Sequence, residues 1–412
     1  MPTRNQNDYI IEAGPMGAIG EAGSLMFRVS RNCPWNRCLF CPAYKDRPFS
    51  RRSVKELMGE INAIKRIREL IRSTSFKMGL SGYVSHEVLL NVIRDNPDVY
   101  MSKSPNGQTA NREAMVSLNN VANWMFHGGK RVFLQDANAM AMSPGGLTDV
   151  LQYLKENFKS IETITCYARS RTCSRRKEEE LEALNQAGLS WCFIGIESGC
   201  DDVLAYMNKG VKRSNHLRGC VNLMSAGIRV AAFIMPGLAG GDEKMSAKHI
   251  RETVALLNEM KPTEIRIRSL AILEASPLYG LYGSGRFKPA TEDQMINEIR
   301  ELIEGLDFDC TIETYQMTNV LFNVKGPLRE KREELIRKIK DYQDLDPKER
   351  GRLRLSRYLH DGYVDFLRRA GRYDSTLDGM ITDAMNSLES DSNKAIEKVE
   401  ETIFAIKSRG VP

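Results

Sequence analysis

The chain has 412 residues, 42% of them hydrophobic and 27% charged, which suits one large α/β domain with an accessory segment and argues against disorder. Lys and Arg outnumber Asp and Glu by 59 to 53, and the resulting net charge of +6 is too mild to indicate nucleic acid as a partner. Neither a long apolar run nor a basic start followed by an apolar stretch occurs, so the sequence suggests no membrane span and no signal peptide, and predicts a cytoplasmic protein.

Residues 1–24 read as a lead-in. Leu25–Ser30 is then the first of six short apolar runs expected to be buried strands; the others are Arg131–Gln135, Ile161–Tyr167, Trp191–Ile196, Ile228–Met235 and Glu264–Leu270. A cysteine-rich loop follows the first of them directly. Residues from about 53 to 130 form an elaborated crossover, with a helical start at Ser53–Ile71 and a polar middle near Met101–Asn111. Amphipathic stretches at Gly145–Phe158, Arg176–Ala187, Arg213–Ala226 and Ser246–Met260 separate the later runs, and Gly188 and Gly227 stand where helix C-caps belong. Such alternation implies parallel strands joined by right-handed crossovers, with residues 25–307 as one α/β core.

After about Leu306 the strand pattern stops, and residues 308–412 read as a helical, highly charged C-terminal region. Asp346-Pro347-Lys348-Glu349 has the order of an N-cap, a first-turn proline and an N3 carboxylate, which predicts a helix start. Ile396, Val399, Ile403 and Ile406 recur at helical spacing among charges. Such a stripe needs a surface to cover, and docking on the core is favoured over an external partner.

Nine cysteines is an odd number in a chain without an export signal, so metal binding or reduced thiols are expected rather than a disulfide framework. Cys33, Cys38 and Cys41 lie in Asn32-Cys33-Pro-Trp-Asn-Arg-Cys38-Leu-Phe-Cys41. In parallel α/β sheets the loops at the carboxyl ends of strands build the active site. A structural zinc site normally takes four protein ligands in two pairs, and no second pair stands nearby. A cubane with one iron lacking a protein thiolate fits three local cysteines better.

This loop, with Phe40 before its last cysteine, resembles the signature of the radical S-adenosylmethionine superfamily. The usual spacing there is C-x3-C-x2-C, whereas four residues separate Cys33 from Cys38 here. Together with Phe193-Ile-Gly-Ile-Glu197-Ser-Gly199, the loop is similar to the branch containing the oxygen-independent coproporphyrinogen oxidases and the Elongator catalytic subunit. The resemblance covers about Leu25 to Asp307. It implies a partial (β/α)6 barrel with a helical C-terminal extension, and two cofactors, a 4Fe-4S cluster held by Cys33, Cys38 and Cys41 and S-adenosyl-L-methionine.

For activity, the resemblance implies reductive cleavage of S-adenosylmethionine to a 5′-deoxyadenosyl radical that abstracts hydrogen from a substrate the sequence does not identify. A low-potential electron donor such as flavodoxin or ferredoxin is implied as well. For the cofactor's polar groups the resemblance points to Gln135 or Asp136 after the second strand, Arg169 after the third, Glu197 at the end of the fourth and Lys209. Met235, in the fifth-strand segment Phe233-Ile-Met-Pro-Gly237, would lie against the adenine. Glu197 also stands out by itself, because a carboxylate ending so apolar a strand is costly to bury without a partner. No residue is assigned a catalytic role. The competing reading is a non-catalytic iron–sulfur electron-transfer or scaffold protein.

Overall fold

The computed structural model describes residues 5–15, 17, 20–102, 107–390 and 394–410. The chain divides into two compact units, one built from the segments up to Pro34, Arg47–Ile194 and Val221–Val230, the other from Trp35–Asp46, Gly195–Cys220 and Ala231 onward. The class is α/β with parallel strands and a helical C-terminal region, as the sequence predicts.

In the first unit, β1 (Leu25–Arg28), β2 (Arg131–Gln135), β3 (Thr163–Ala168) and β4 (Leu189–Glu197, of which the part up to Ile194 belongs here) pair in parallel in that order. β2 is buried from Val132 onward, which is why it reads as a continuous apolar run rather than an alternating one. β1 ends earlier than the apolar run suggests, because Ser30–Arg31 turns away to pair antiparallel with Ser50–Arg51. The crossover holds the long helices α1 (Val54–Lys77) and α2 (Gly107–Phe126) and a shorter one at His86–Asp95. α1 begins in a capping box, with Ser53 accepting from the Glu56 amide and the Glu56 carboxylate accepting from the Ser53 amide. Its buried Leu57, Ile61, Ile64, Ile67 and Ile71 form one apolar stripe at helical spacing. α3 (Pro144–Asn157) packs on α1 through Leu147, Val150, Leu151 and Leu154. Gly188 and Gly227 adopt positive φ at their helix ends, and the middle of the polar segment, residues 103–106, lies outside the described residues.

In the second unit, β5 (Arg229–Ile234) pairs in parallel with β6 (Glu264–Ile267) from Ala231 onward. β6 pairs in parallel with β7 (Thr311–Glu313), and β8 (Gly326–Pro327) closes antiparallel on β7. These last two strands correct the expectation that strands stop at Leu306. Three and two residues long, they offer no alternation, and Ile312 is the one buried residue of β7. Helices α4 (Glu243–Met260) and α5 (Glu292–Gly305) pack on each other.

The C-terminal helices α6 (Leu328–Gln343), α7 (Pro347–His360), α8 (Ser375–Glu389) and α9 (Ala395–Ser408) belong to the same unit. Asp346 caps α7 as expected, accepting from the amides of Lys348 at 2.9 Å and Glu349 at 3.2 Å. The apolar stripe of α9 is covered within the chain: Val399, Ile403 and Ile406 are buried, and α9 packs on α7 and α8. Phe404 lies 4.4 Å from the Tyr282 ring, and Lys407 pairs with Glu292 at 2.6 Å.

Candidate functional site

In the first unit, the start of the cysteine loop is tied to the end of β2. Arg28, the last residue of β1, donates from Nε to Asp136 at 2.6 Å, and the backbone N–H of Asn32 donates to the same carboxylate oxygen at 2.9 Å. Asp136 is fully buried, and both it and Asn32 sit at positive φ, 73° and 65°, a conformation that costs energy away from glycine. Glu12 bridges Arg28 and Arg31 at 2.8 and 2.6 Å. Burial alone would raise the Glu12 pKa, but the Arg31 hydrogen bonds and the charges of Arg52, Arg31 and Arg28 more than offset it and hold it below the usual carboxylate range. Asp136 therefore anchors the residue that precedes Cys33. Gln135 accepts from the Gly14 amide at 3.0 Å. Arg169 caps a short helix, its backbone N–H donating to Asn138 at 3.1 Å.

In the second unit, residues 35–46 carry Cys38 and Cys41 and rest on the turn at residues 207–210. Trp35 Nε1 donates to the Asn208 carbonyl at 2.7 Å and the Leu39 amide to Met207 at 3.0 Å. Leu278 in turn donates its amide to the Leu39 carbonyl at 2.9 Å. Lys45 Nζ donates to the carbonyls of Asn36 and Cys38 at 2.9 and 3.1 Å. Gly210 permits this seat, because a Cβ there would enter the Trp35 indole. Glu197 and Lys209, both singled out from the sequence, meet: Nζ lies 2.8 Å from the Glu197 carboxylate and 5.5 Å from the centre of the Phe40 ring. The costly carboxylate has its partner in Lys209. Gly195 leaves room for the pair, since a Cβ at that position would strike the Glu197 carboxylate and come within 3.0 Å of Lys209 Nζ.

Glu197 itself adopts φ 65°, and the turn after it is pinned to α4. Ser198 Oγ is hydrogen-bonded to His249 Nδ1 at 2.8 Å, and the Gly199 amide donates to Thr253 Oγ1 at 2.8 Å. Burial pushes His249 down to about 4, so it stays neutral at physiological pH. A Cβ on Gly199 would collide with the α4 backbone at Glu252 and Thr253, which is the physical reason for glycine in the Glu-Ser-Gly triplet. Met235 donates its amide to the Glu197 carbonyl at 3.0 Å and packs with Met207, Leu270, Ile272, Leu278 and Phe287, against which Leu39 and Phe40 also rest.

Sequence reasoning missed Glu298 of α5, a buried carboxylate that accepts from the Gly237 amide at 2.6 Å and from Ser246 Oγ at 2.5 Å. It holds the loop that leaves β5. Burial raises its pKa to about 7 against the lowering effect of those two hydrogen bonds. A carboxyl with a raised folded pKa contributes stability below its unfolded value near 4.5, and that contribution is lost as pH rises through about 7. Urea titrations at pH 5 and pH 8 are expected to show Glu298→Gln gaining stability relative to the parent at the higher pH. An equal difference at both values would mean the carboxyl does not titrate in that window.

The nine cysteines fall into two environments. Cys33, Cys38 and Cys41 are half-buried, whereas the other six are buried, and burial pushes the Cys220 and Cys310 thiols up to about 12. Accessible thiols on one loop are a fitting donor set for an iron–sulfur cluster. Among the described residues no three His, Cys, Asp or Glu side chains close on one metal position; a cubane spreads its three thiolates over three irons.

The Radical SAM superfamily profile matches residues 27–253. The tRNA uridine(34) acetyltransferase of Methanocaldococcus jannaschii is 24% identical over 122 residues, 30% of this chain and 22% of that protein. The chain thus spans about a fifth of that curated relative's length. Among solved structures, the archaeal Methanocaldococcus infernus Elp3 with an N-terminal deletion aligns with a TM-score of 0.36 and 19% identity, covering 47% of this chain and 49% of that one. Coproporphyrinogen III oxidase from Escherichia coli aligns at 0.34 and 13%, covering 42% and 39%. At these scores the structural likenesses carry no argument beyond the profile match.

Proposed function

Because the chain belongs to the radical SAM superfamily, enzymes that bind a 4Fe-4S cluster and S-adenosylmethionine, we propose that Cys33, Cys38 and Cys41 hold the cluster and that Glu197 and Lys209 receive the cofactor's polar groups. When bound, the cluster supplies the electron that cleaves the sulfonium C–S bond, giving a 5′-deoxyadenosyl radical for hydrogen abstraction from the substrate. The observation that carries this reading is the second-unit arrangement in which the Glu197–Lys209 pair lies beside Phe40, between Cys38 and Cys41 in sequence. A carboxylate and an ammonium side by side complement the amino and carboxylate groups of an amino acid, and each can exchange its partner in the pair for one on the ligand. Met235 and its apolar neighbours offer a surface for the adenine, and Gln135, Asp136 and Arg169 are the further polar groups of the proposal.

An electron donor of low potential, flavodoxin or ferredoxin in type, and a cytoplasmic setting that keeps the six buried thiols reduced complete the proposal. No helix among the described residues is long and apolar enough to cross a membrane. The test is anaerobic reconstitution with iron and sulfide, addition of a low-potential reductant, and assay for 5′-deoxyadenosine. An intact cluster without cofactor cleavage would favour the electron-transfer or scaffold reading. Glu197→Ala and Glu197→Gln are expected to weaken S-adenosylmethionine binding by roughly ten- to a hundredfold, equivalent to about 1.5–3 kcal/mol for a hydrogen bond to a charged group, with iron content unchanged. Unchanged affinity in both variants would reduce Glu197 to a structural ion-pair partner of Lys209.

A further inference from the structure

The first unit has a concavity at the amino-terminal ends of its strands, and so at the opposite end from the start of the cysteine loop. Gly129 and Ser160, which lead into β2 and β3, line it with Arg68, Arg72 and Phe76 of α1 and Trp124 of α2, around a volume of about 270 Å³. No acidic side chain lines it. Arg68 lies over the Phe158 ring at 5.6 Å, and Trp124 meets the same ring edge-on at 5.3 Å. Among the described residues neither Arg68 nor Arg72 has a carboxylate at ion-pair distance, so two guanidinium groups on successive turns of α1 share one pocket whose lining carries no acidic side chain. Burial, and then the neighbouring charge of Arg72, lower the Arg68 pKa against the smaller raising effect of Glu69. An anion placed between the two would relieve both effects.

Two further observations narrow the ligand. Trp124 is 1% exposed, and its indole N–H has no hydrogen-bond partner, a buried donor left over in a pocket that already offers donors. Three large rings, Phe76, Tyr83 and Phe126, are 56%, 61% and 59% exposed. Tyr83 and Phe126 lie 6.4 Å apart, and Gly82, itself part of the pocket, approaches Phe76. Of the three, Phe76 lines the pocket, and an exposed aromatic face beside two arginines that lack an ion pair combines what a flat base and a phosphate each require. A simple carboxylate would leave that face unused.

We propose that this pocket binds a nucleotide unit, its phosphate held by Arg68 and Arg72 and its base stacked on Phe76, as a site separate from the cofactor's. The same chemistry is presented by a free nucleoside monophosphate and by one unit of single-stranded RNA. The mild net charge does not oppose it, since the charge involved is local.

The test uses full-length, cluster-reconstituted protein saturated with S-adenosylmethionine, so that an adenine is not read at the cofactor site. AMP, inorganic phosphate and a single-stranded oligoribonucleotide are titrated by anaerobic calorimetry. Saturable binding of AMP or the oligonucleotide is expected, weakened about tenfold or more by the double change Arg68→Ala/Arg72→Ala. Phe76→Ala, at an exposed position that leaves the fold intact, is expected to weaken AMP and spare phosphate. Tighter, steeply salt-dependent oligonucleotide binding identifies the RNA source, and equal or better AMP binding identifies a free nucleotide. Absence of saturable binding of both, or binding undiminished in the double arginine variant, overturns the proposal.

Discussion

Alanine in place of Cys33, Cys38 or Cys41 is expected to abolish assembly of the normal 4Fe-4S cluster and with it all S-adenosylmethionine cleavage. Each thiolate would hold a different iron, so losing one opens a second iron rather than weakening all three equally. The same change at Cys173, Cys200 or Cys220 is expected to leave iron content and cleavage intact. Those side chains are buried, and burial raises the pKa of the Cys200 and Cys220 thiols, which keeps them protonated and poor ligands. Iron and acid-labile sulfide per chain, with 5′-deoxyadenosine formed, are the measurements. Normal cluster and full cleavage in any of the three loop variants would remove that residue from the ligand set.

The parts of this molecule that were legible in the sequence are those specified locally. The strand runs, the glycines after helices, the Asp346 cap and the cysteine loop each announce themselves within a few residues, because burial, capping and ligation impose short-range patterns. Glu197 was legible for the same reason, as a carboxylate ending an apolar strand. Its partner was not: Lys209 was expected to face the cofactor, and only the fold of residues 198–208 brings it to the carboxylate. Gln135 or Asp136 was expected to meet the cofactor's polar groups; what was not legible is that Asp136 pairs with Arg28, 108 positions away, a pairing fixed by β1 and β2 lying side by side. β7 and β8 were illegible because they are too short to show a period. Glu298 was passed over as one more acid on an acidic helix, although Met295 three residues before it and Leu302 four after it put it on the apolar face.

The C-terminal helices supply the other large effect. Lys407 of α9 and Glu292 of α5 are 4% and 6% exposed and 2.6 Å apart, so neither charge can fall back on water if its partner is lost. Close by, Arg354 of α7 is buried between Asp293 and Glu400, so its charge is already engaged by two carboxylates. Lys407→Ala is therefore expected to cost about 3–5 kcal/mol, the penalty for stranding one member of a buried pair. The double variant Lys407→Met/Glu292→Gln removes both charges while keeping volume, and is expected to recover most of that loss. Urea midpoints read by circular dichroism decide it, because a cost that persists undiminished in the double variant would assign the effect to the packing of the lysine stem. A single variant as stable as the parent would mean that α9 is held by Val399, Ile403, Ile406 and Phe404 alone, with the ion pair contributing nothing to its docking.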